Sequence, residues 1–400
     1  MKRRVAIVHG QLGGGNGGSE ARAMWAAESL KRDFAVSLVT AGPIDLTQLN
    51  LFYGTKIGSQ DVRLHSLPMP PVLGDKSAPA ALRGAFASRA LKSLVNDYDI
   101  LISAYNLCDF GTPGIQCVAD FSWDEVLRRR FDPPPGGIYN LFHRFQSLRS
   151  CYLRLCKAID PPSGHDVFGG EDVLVANSHW TATRLLERYR VDARVVYPPV
   201  AGAFPDIPQE HRYNDFVCIG RISAEKRIER MIHIIGAVRS CGHNVRIRII
   251  GPVDSSPYAK SIVDLAGQHR DWVLLEGRKV APEKARILAD CRYGIHGREG
   301  EAFGIAVAEM VKAGCITFAP AEGGPAEILN HEALFYHNDD EAVSKITAVL
   351  DQKALRGELI RHLRHQAEKF SPESFMAGLR EAVNDFNQRS QSLPASLDAR

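Results

Sequence analysis

Two carboxylates stand eight positions apart in the segment EAFGIAVAE, Glu301 and Glu309, with Gly304 between them. The preceding residues 293–297 (YGIHG) are typical of a short buried strand, and the run 303–313 has helical periodicity and good helix formers. A glycine turn that opens a helix leaves backbone N–H groups unpaired at the positive end of the helix dipole. The segment therefore predicts an anion site. The separation of its carboxylates favours a long ligand, contacted at both ends, over a proton-sharing pair.

Two cations follow the first apolar run of the C-terminal half of the chain, the half that also contains Glu301 and Glu309. The segment GRISAEK places Arg221 and Lys226 in a turn after Gly220 and at the start of the next predicted helix. Two cations beside a helix start suit a diphosphate. Each cation taken alone also fits a structural role, an ion pair for Arg221 and a solvated helix face for Lys226. Together with the carboxylate segment, they favour a ligand site.

Strands alternating with helices are predicted on both sides of a Pro-rich segment, residues 198–214, which reads as a linker. Such alternation predicts parallel sheets covered by helices on both faces. The sequence thus predicts an α/β protein of two doubly wound, Rossmann-like domains, residues 1–197 and 215–370, that face a central cleft. Residues 389–400 read as a tail.

The composition narrows the class of protein. The chain has 400 residues, 45% of them apolar and 24% charged, and a net charge of +3. This charge gives no reason to expect a nucleic-acid partner, and no apolar run approaches the roughly 20 residues that span a bilayer. The cysteines form no CxxC pair, so we expect free thiols, no metal site and a cytoplasmic protein.

Four segments together resemble the retaining glycosyltransferases of family 4 (glycosyl transferase group 1), which have the GT-B fold. The segments are GRISAEK (220–226), EAFGIAVAE (301–309), AEGGPAEI (321–328), and VLVANSHWTATRLLERY with VVYPPV (173–200). They occur in the order of the family, and the resemblance covers residues 4–388. It implies an acceptor-side first domain, a nucleotide-sugar-binding second domain, and a C-terminal helix, 371–388, that returns to the first domain.

The resemblance also implies roles for the residues named above. Arg221 and Lys226 would hold the pyrophosphate of a nucleotide-sugar, Glu309 would accept hydrogen bonds from the ribose hydroxyls, and Glu301 would face the sugar. Backbone N–H groups at the helix start and the turn after the third strand of the second domain would contact the sugar, phosphate and base. Those contacts would come from Phe303, Gly304 and Ile305 and from Arg278, Lys279 and Val280.

The reaction implied is the retaining transfer of a hexose from a UDP- or GDP-sugar to a glycan or lipid-linked acceptor in cell-surface polysaccharide synthesis. No cofactor or metal is expected, because Arg221, Lys226 and the helix dipoles supply the positive field. Two alternatives share the fold: a sugar-nucleotide epimerase or sugar-phosphate synthase, and a non-catalytic binding module. Proton exchange at the sugar C2 without acceptor would favour the epimerase.

A glycine-rich loop follows the first strand, GGGNGG at 13–18, and is weaker evidence for a ligand site than the segments above. It is followed by no acidic residue at the end of the second strand, which disfavours NAD, and it has no Gly-Lys-Ser/Thr of a Walker A loop. In the family this loop approaches the donor phosphates or the acceptor, so Gly15 and Gly17 are candidate donor contacts. A flexible turn is the alternative.

One departure from the family concerns catalysis. Many members carry a histidine after a strand late in the first domain, and the matching segment here, IQCVADFSWD at 115–124, has none. Asp120 is the candidate to take part of that role. His296, which ends a strand just before Glu301, is the better placed of two further histidines; the other is His9, at the end of the first strand. A structural hydrogen bond is the alternative for His296.

Basic and apolar residues alternate over 126–157, before and after a Pro-Gly stretch. Such a surface could touch anionic lipid, as would suit a lipid-linked acceptor and a location at the inner membrane surface. A solvated helix with an apolar core face is the alternative.

Overall fold

A computed structural model describes residues 2–13, 17–70, 73, 80–131 and 145–392 of the chain. Within these ranges the contacts divide the chain into two compact units. Unit 1 contains the described residues up to 128, those of 145–199, and 372–392, whereas unit 2 contains 129–131 and 200–371.

Unit 1 is built on a parallel sheet of seven strands in the order β3-β2-β1-β4-β5-β6-β7. The strands are β1 (Arg4–His9), β2 (Ala35–Thr40), β3 (Val62–Ser66), β4 (Ile100–Ser103), β5 (Ile115–Val118), β6 (Val173–Ala176) and β7 (Arg194–Val195). The chain builds outward from β1 to β3 and then returns to start again at β4. The switch point of the sheet therefore lies between β1 and β4, whose pairing runs from Val5 and Ile100 onward.

The helices of unit 1 cover both faces of this sheet. They are α1 (Gly18–Leu30), α2 (Leu46–Tyr53), α3 (Ala80–Lys92), α4 (Glu125–Phe131, which ends in unit 2), α5 (Gln146–Ile159), α6 (His179–Tyr189) and the last helix of the chain, α14 (Pro372–Ser392). Successive residues of β1 lie on opposite faces of the sheet, and both faces are buried under helices. Val5 and Ile7 pack in one apolar cluster with α1 and α14, whereas Ala6 and Val8 pack in another with Leu91 of α3.

Unit 2 is built on a parallel sheet of six strands in the order β10-β9-β8-β11-β12-β13. The strands are β8 (Tyr213–Ile219), β9 (Arg246–Ile250), β10 (Val273–Gly277), β11 (Cys291–Ile295), β12 (Ile316–Pro320) and β13 (Phe335–Tyr336). The helices are α7 (Ile228–Ser240), α8 (Pro257–Gln268), α9 (Ala281–Asp290), α10 (Ile305–Lys312), α11 (Gly324–Leu329), α12 (Asp339–Asp351) and α13 (Lys353–Glu368). Its switch point lies between β8 and β11.

The predicted class, two doubly wound α/β domains, is confirmed, but several boundaries differ. The segment interpreted as a linker packs on unit 2 from residue 200 onward. Arg212, only 7% exposed, donates from Nε to the carbonyl of Ile207 at 2.9 Å. Lys226 lies in a single 3₁₀ turn, Ala224–Lys226, before α7 rather than inside the helix. The final helix runs to Ser392, into the stretch interpreted as a tail.

Candidate active site

The loops that carry the predicted site residues of unit 2 follow the carboxyl ends of neighbouring strands. GRISAEK follows β8, HGREGE follows β11, and β8 and β11 pair directly at the switch point of the sheet. Ligands of open α/β sheets bind at this place, because the loops after the two strands diverge there and leave a crevice. The strand order thus brings together residues that lie 75 positions apart in the chain.

Two glycines let these loops approach one another. A Cβ on Gly251, which follows β9, would lie 1.8 Å from the carbonyl oxygen of Gly220. A Cβ on Gly297, which follows β11, would lie 2.9 Å from the carbonyl oxygen of Lys226. Side chains at either position would therefore push the cation-bearing loop away from its neighbours.

Lys226, Glu301 and His296 form the centre of the site. Lys226 Nζ donates to Glu301 Oε1 at 3.0 Å and to Oε2 at 3.1 Å. His296 Nε2 lies 2.7 Å from Oε2 of the same carboxylate. The Glu301 side chain is 16% exposed and that of His296 only 4%. The three side chains therefore form one largely buried, charge-compensated cluster.

The protonation of Glu301 follows from these neighbours. Burial by itself opposes ionisation and would raise the pKa of Glu301. The positive charge of Lys226 and the contact with His296 overcome this effect, with a further contribution from Arg298, and hold the pKa of Glu301 well below its ordinary value. Glu301 is a carboxylate at neutral pH, suited to accept hydrogen bonds or to stabilise positive charge, and not to donate a proton.

His296 is held by its backbone as well as by its ring. Its N–H donates to the carbonyl of Phe318 at 2.8 Å, and its carbonyl accepts from the Tyr336 hydroxyl at 2.6 Å. It directly follows β11, so the sheet orients the imidazole toward Glu301. Two interpretations of His296 were open from the sequence, a site residue and a structural hydrogen bond. The structure places it beside the site carboxylate.

The helix start predicted beside Glu301 is α10, and Gly304 is its N-cap. Gly304 has φ +96°, a conformation that favours glycine, and supplies no side chain to cap the first turn. A Cβ there would lie 2.8 Å from Cγ of Pro325 in α11. The Val307 N–H donates to the Gly304 carbonyl at 2.9 Å, which leaves the N–H groups of Ile305 and Ala306 in the first turn without an intrahelical acceptor. The Phe303 side chain is buried and packs edge-on against Phe370, so only its backbone is suited to a ligand contact.

Glu309 lies in the second turn of α10 and does not touch the Glu301 cluster through any bond described. Its Oε1 accepts from Lys284 Nζ at 2.8 Å, and the two side chains are 19% and 27% exposed. Lys284 lies on α9, which begins directly after the turn Arg278-Lys279-Val280. Sequence reasoning missed Lys284; the signal was a cation four residues beyond Val280, on the helix predicted to follow the base-binding turn.

Arg221 and the turn residues are at the surface. The Arg221 side chain is 75% exposed and contacts Glu225 at 3.1 Å, so the structural ion pair considered for it is present. Lys279 lies 3.8 Å from Glu276, and Val280 is 58% exposed. Arg278 shares this turn, which begins at Gly277 with φ +68°.

The first-domain candidates lie in unit 1. Asp120 follows β5 and is held in a network. Its Oδ2 accepts from the Tyr105 hydroxyl at 2.6 Å, and its Oδ1 accepts from Asn106 Nδ2 at 2.8 Å and from Ser122 N–H at 2.9 Å. Burial would raise the pKa of Asp120, but these hydrogen bonds lower it, so the group is ionised at neutral pH. Gly17 is the N-cap of α1. Gly15 lies outside the described residues.

The described residues contain no group of three or more His, Cys, Asp or Glu placed to hold a metal ion. None of their helices has both the length and the hydropathy that a bilayer span requires.

Residues 203–370 match the family described as glycosyl transferases group 1. They form a group 1 glycosyltransferase domain. The match begins just inside unit 2 and ends with α13, so it contains every site residue of that unit. The segments GRISAEK, EAFGIAVAE and AEGGPAEI all lie within this match.

Relatives of the group 1 domain include the GDP-Man:Man(3)GlcNAc(2)-PP-Dol alpha-1,2-mannosyltransferase of Candida glabrata. It is 29% identical over 177 residues, which are 38% of this chain and 34% of that protein. The chain thus matches about a third of the length of this relative.

Solved structures extend the likeness to both units. The sucrose-phosphate synthase of Thermosynechococcus elongatus covers 97% of this chain, and this chain covers all of it, with a TM-score of 0.70 and 14% identity. Anabaena HepE, solved in complex with UDP-glucose, covers 96% of this chain and is itself covered fully, with a TM-score of 0.65 and 14% identity. The fold is GT-B.

Proposed function

We propose that this protein is a retaining, metal-independent hexosyltransferase of family 4. It would transfer a hexose from a UDP- or GDP-sugar to a glycan or lipid-linked acceptor in cell-surface polysaccharide synthesis. The observation that supports this most directly is the buried Lys226–Glu301–His296 cluster beside the uncapped start of α10, in a group 1 domain. The UDP-glucose bound to HepE and the lipid-linked acceptor in the name of the Candida glabrata relative support the substrate classes.

Lys226 can donate hydrogen bonds to the Glu301 carboxylate and to a phosphate at the same time. An ammonium has three N–H donors, and the two oxygens of Glu301 take two of them. The third donor, with the free N–H groups of α10 and the exposed guanidinium of Arg221, would compensate the charge of a leaving diphosphate. Positive charge supplied in this way replaces the metal ion that other transferases need.

Glu301 and Glu309 would contact opposite ends of the donor. Glu301, ionised and fixed by two partners, would accept from the sugar hydroxyls and stabilise an oxocarbenium-like sugar as the diphosphate leaves. Glu309 would accept from the ribose hydroxyls, while Lys284 holds this carboxylate in position. The acceptor hydroxyl would then attack the face from which the diphosphate departs and pass its proton to an oxygen of that diphosphate, which retains the anomeric configuration. Neither carboxylate acts as an acid, in contrast to glycosidases.

Transfer assays with a panel of UDP- and GDP-hexoses test the proposal. We expect binding of at least one nucleotide-sugar, and a product whose anomeric configuration equals that of the donor by NMR. Arg221→Ala should remove most of the turnover, with Arg190→Ala, a residue of unit 1 outside the proposed site, as the matched control. A protein that binds no nucleotide-sugar or nucleoside diphosphate at millimolar concentration contradicts the proposal, and an inverted product contradicts its stereochemical part.

For the acceptor, we propose a lipid-linked molecule reached at an anionic, cytoplasmic membrane surface. The outer side of α5 supports this: Leu148, Cys151 and Leu155 recur at helical spacing and are exposed, with Arg154 and Lys157 exposed beside them. Exposed leucines flanked by cations match an anionic lipid surface in both polarity and charge.

Vesicle co-sedimentation tests this surface. The protein should bind vesicles containing phosphatidylglycerol more than pure phosphatidylcholine vesicles, and the double variant Leu148→Ser and Leu155→Ser should reduce that binding. Leu51→Ser, which changes a leucine that is 83% exposed on α2, is the control. Equal binding by the double variant and the wild type contradicts the role of α5.

A further inference from the structure

Unit 2 contains a cavity of about 410 Å³ at the amino ends of β8 and β12, the end of the sheet opposite to the candidate active site. Its walls come from the segment before β8, from the carboxyl ends of α10 and α13, and from the turn between α10 and β12. The seven residues of β8 separate it from GRISAEK by about 20 Å. The cavity is therefore distinct from the proposed donor site, and its volume lies in the range of small-molecule sites.

A buried arginine without an acidic partner lines this cavity. Arg212, which directly precedes β8, is 7% exposed. Its guanidinium donates only to backbone carbonyls, from Nε to Ile207 at 2.9 Å and from Nη1 to Cys291 at 3.3 Å. Its Nη2 has no acceptor among the described residues and keeps accessible surface, so a ligand can reach this atom. A buried charge without a counter-charge is costly, and an anion in the cavity would remove that cost.

The other charged side chains on the wall are mainly cationic as well. Lys312 at the end of α10 donates from Nζ to the carbonyl of Val200, and Arg364 on α13 is exposed. Asp206, also exposed, is the single carboxylate among the residues that line the cavity. Burial lowers the pKa of Arg212, and the negative charge of Asp206 offsets this effect only in part. Asp206 is therefore an incomplete counter-charge for the guanidinium.

The carboxyl end of α10 also faces the cavity and contributes a partial negative charge, about half an elementary charge. Gln209 Nε2 donates to the carbonyl of Gly314, just beyond this helix end, at 2.7 Å. The guanidinium of Arg212 lies against the same residue, because a Cβ on Gly314 would be 2.6 Å from Nη2. The three cations still exceed the one carboxylate and the helix end together, so the cavity attracts an anion.

The remainder of the wall is mainly apolar. It includes Phe204, Ile207, Val311, Ile316, Ile360 and Leu363. An inorganic anion would leave these side chains in contact with water, whereas a ligand with an apolar part would cover them and gain from their burial. The lining thus fits an organic anion with a compact apolar body.

We propose that this cavity binds a small organic carboxylate, whose charged group accepts a hydrogen bond from Arg212 Nη2 and whose apolar body contacts α13. The site lies within unit 2 but does not depend on sugar transfer. Its failure would therefore leave the proposed function untouched.

Calorimetric titration of the full chain with benzoate, benzamide and benzylammonium tests the proposal. The three probes share a phenyl ring and differ in charge. The loss of a hydrogen bond between charged groups corresponds to at least about a tenfold weaker affinity, so benzamide and benzylammonium should bind at least tenfold more weakly than benzoate. No binding of benzoate at millimolar concentration, or an affinity of either other probe within tenfold of that of benzoate, overturns the proposal.

Two alanines of α13 provide a matched pair of variants that locates the ligand. Ala367 lines the cavity, whereas Ala354 lies at the other end of the same helix and is exposed. Ala367→Phe should fill the cavity and weaken benzoate binding more than tenfold, and Ala354→Phe should leave it unchanged. Arg221→Ala, at the proposed donor site, should leave benzoate binding unchanged as well. Benzoate binding that survives in Ala367→Phe, or that is lost in Arg221→Ala, places the ligand elsewhere and overturns the proposal.

Arg212→Gln isolates the contribution of the buried cation. It should weaken benzoate binding at least tenfold, because the charge is lost while a polar side chain remains. An unchanged benzoate affinity in folded Arg212→Gln contradicts the role of Arg212. If this variant does not fold, the comparison of the three probes on the wild-type protein and the alanine pair still decide the proposal.

Discussion

At the scale of single residues, the site of unit 2 depends on which cation faces which carboxylate. Lys226 and His296 both contact Glu301, whereas Glu309 has Lys284. The two carboxylates of EAFGIAVAE therefore have separate electrostatic environments. Glu301 lies between two partners, whereas Glu309 has a single cationic partner among the described residues. This difference supports separate roles at the two ends of a donor.

The depressed pKa of Glu301 predicts a pH-dependent stability. The ionised form is stabilised in the folded state, so the unfolded chain binds more protons as the pH falls below the ordinary value of 4.5. The contribution of Glu301 should be complete above about pH 5 and should decrease as the pH falls through 4.5 toward its folded pKa. Urea unfolding of the wild type and Glu301→Gln between pH 7 and pH 3.5 measures this. A difference in the free energy of unfolding that grows on acidification contradicts the assignment.

Glu309 predicts a selective loss of donor affinity. If it accepts from ribose hydroxyls, Glu309→Ala should weaken nucleoside diphosphate binding about 10- to 100-fold, the effect of losing hydrogen bonds to a charged group. Inorganic pyrophosphate lacks the ribose, so its affinity should not change. Calorimetry with both ligands measures the contrast, and Glu283→Ala on the exposed side of α9 is the control. An equal loss for both ligands would place Glu309 at the phosphates.

At the scale of elements, the cation-bearing loop after β8 is positioned by its close contact with the residue that follows β9. Gly251 allows this contact, because a Cβ would lie 1.8 Å from the Gly220 oxygen and 2.8 Å from its carbonyl carbon. Both atoms belong to the backbone, so a side-chain rotation cannot relieve the clash.

Gly251→Ala should therefore destabilise unit 2 by about 1–3 kcal/mol, the usual cost of overpacking, and should weaken diphosphate binding through the displaced loop. Gly267→Ala is the matched control, since it replaces an unobstructed helical glycine and should stabilise the protein by about 0.5–1 kcal/mol. Urea unfolding resolved by hydrogen exchange in the peptides of unit 2 measures both. A neutral Gly251→Ala would contradict the contact between these loops.

At the scale of the whole molecule, the last helix belongs to the first unit. α14 packs against α1, and its residues Phe375, Leu379, Val383 and Phe386 lie in the same apolar cluster as Val5 and Ile7 of β1. The apolar core of unit 1 therefore includes α14, although this helix follows unit 2 in the sequence.

Leu379→Ala tests this dependence. Leu379 is 1% exposed, so the substitution should cost about 2–5 kcal/mol of the stability of unit 1. Hydrogen exchange in α1, more than 340 positions earlier in the chain, should accelerate, because α1 loses part of its packing surface. Asn384→Ala, an exposed change on the same helix, is the control. Unchanged protection of α1 in Leu379→Ala would contradict the packing of α14 in unit 1.

Much of the fold could be predicted from local patterns, and the misses have local causes too. Buried strands such as β1 and β4 are nearly continuous apolar runs, which a local sequence pattern is enough to indicate. The edge strand β3, with the pattern Val-Arg-Leu-His-Ser, and the short α2 were missed, because partly exposed elements carry no such run.

The sequence by itself determined the types of residue at the site and their intervals within each loop: the cations of GRISAEK, the carboxylates of EAFGIAVAE and the glycine between them. Local patterns suffice for that, because a turn, a cap and a helix start depend on neighbouring residues. Only the tertiary structure decided that Lys226 and His296 share Glu301 and that Lys284 pairs with Glu309. These contacts depend on which strands pair in the sheet of unit 2. Strand pairing is a long-range choice, made by the packing of both faces of each sheet.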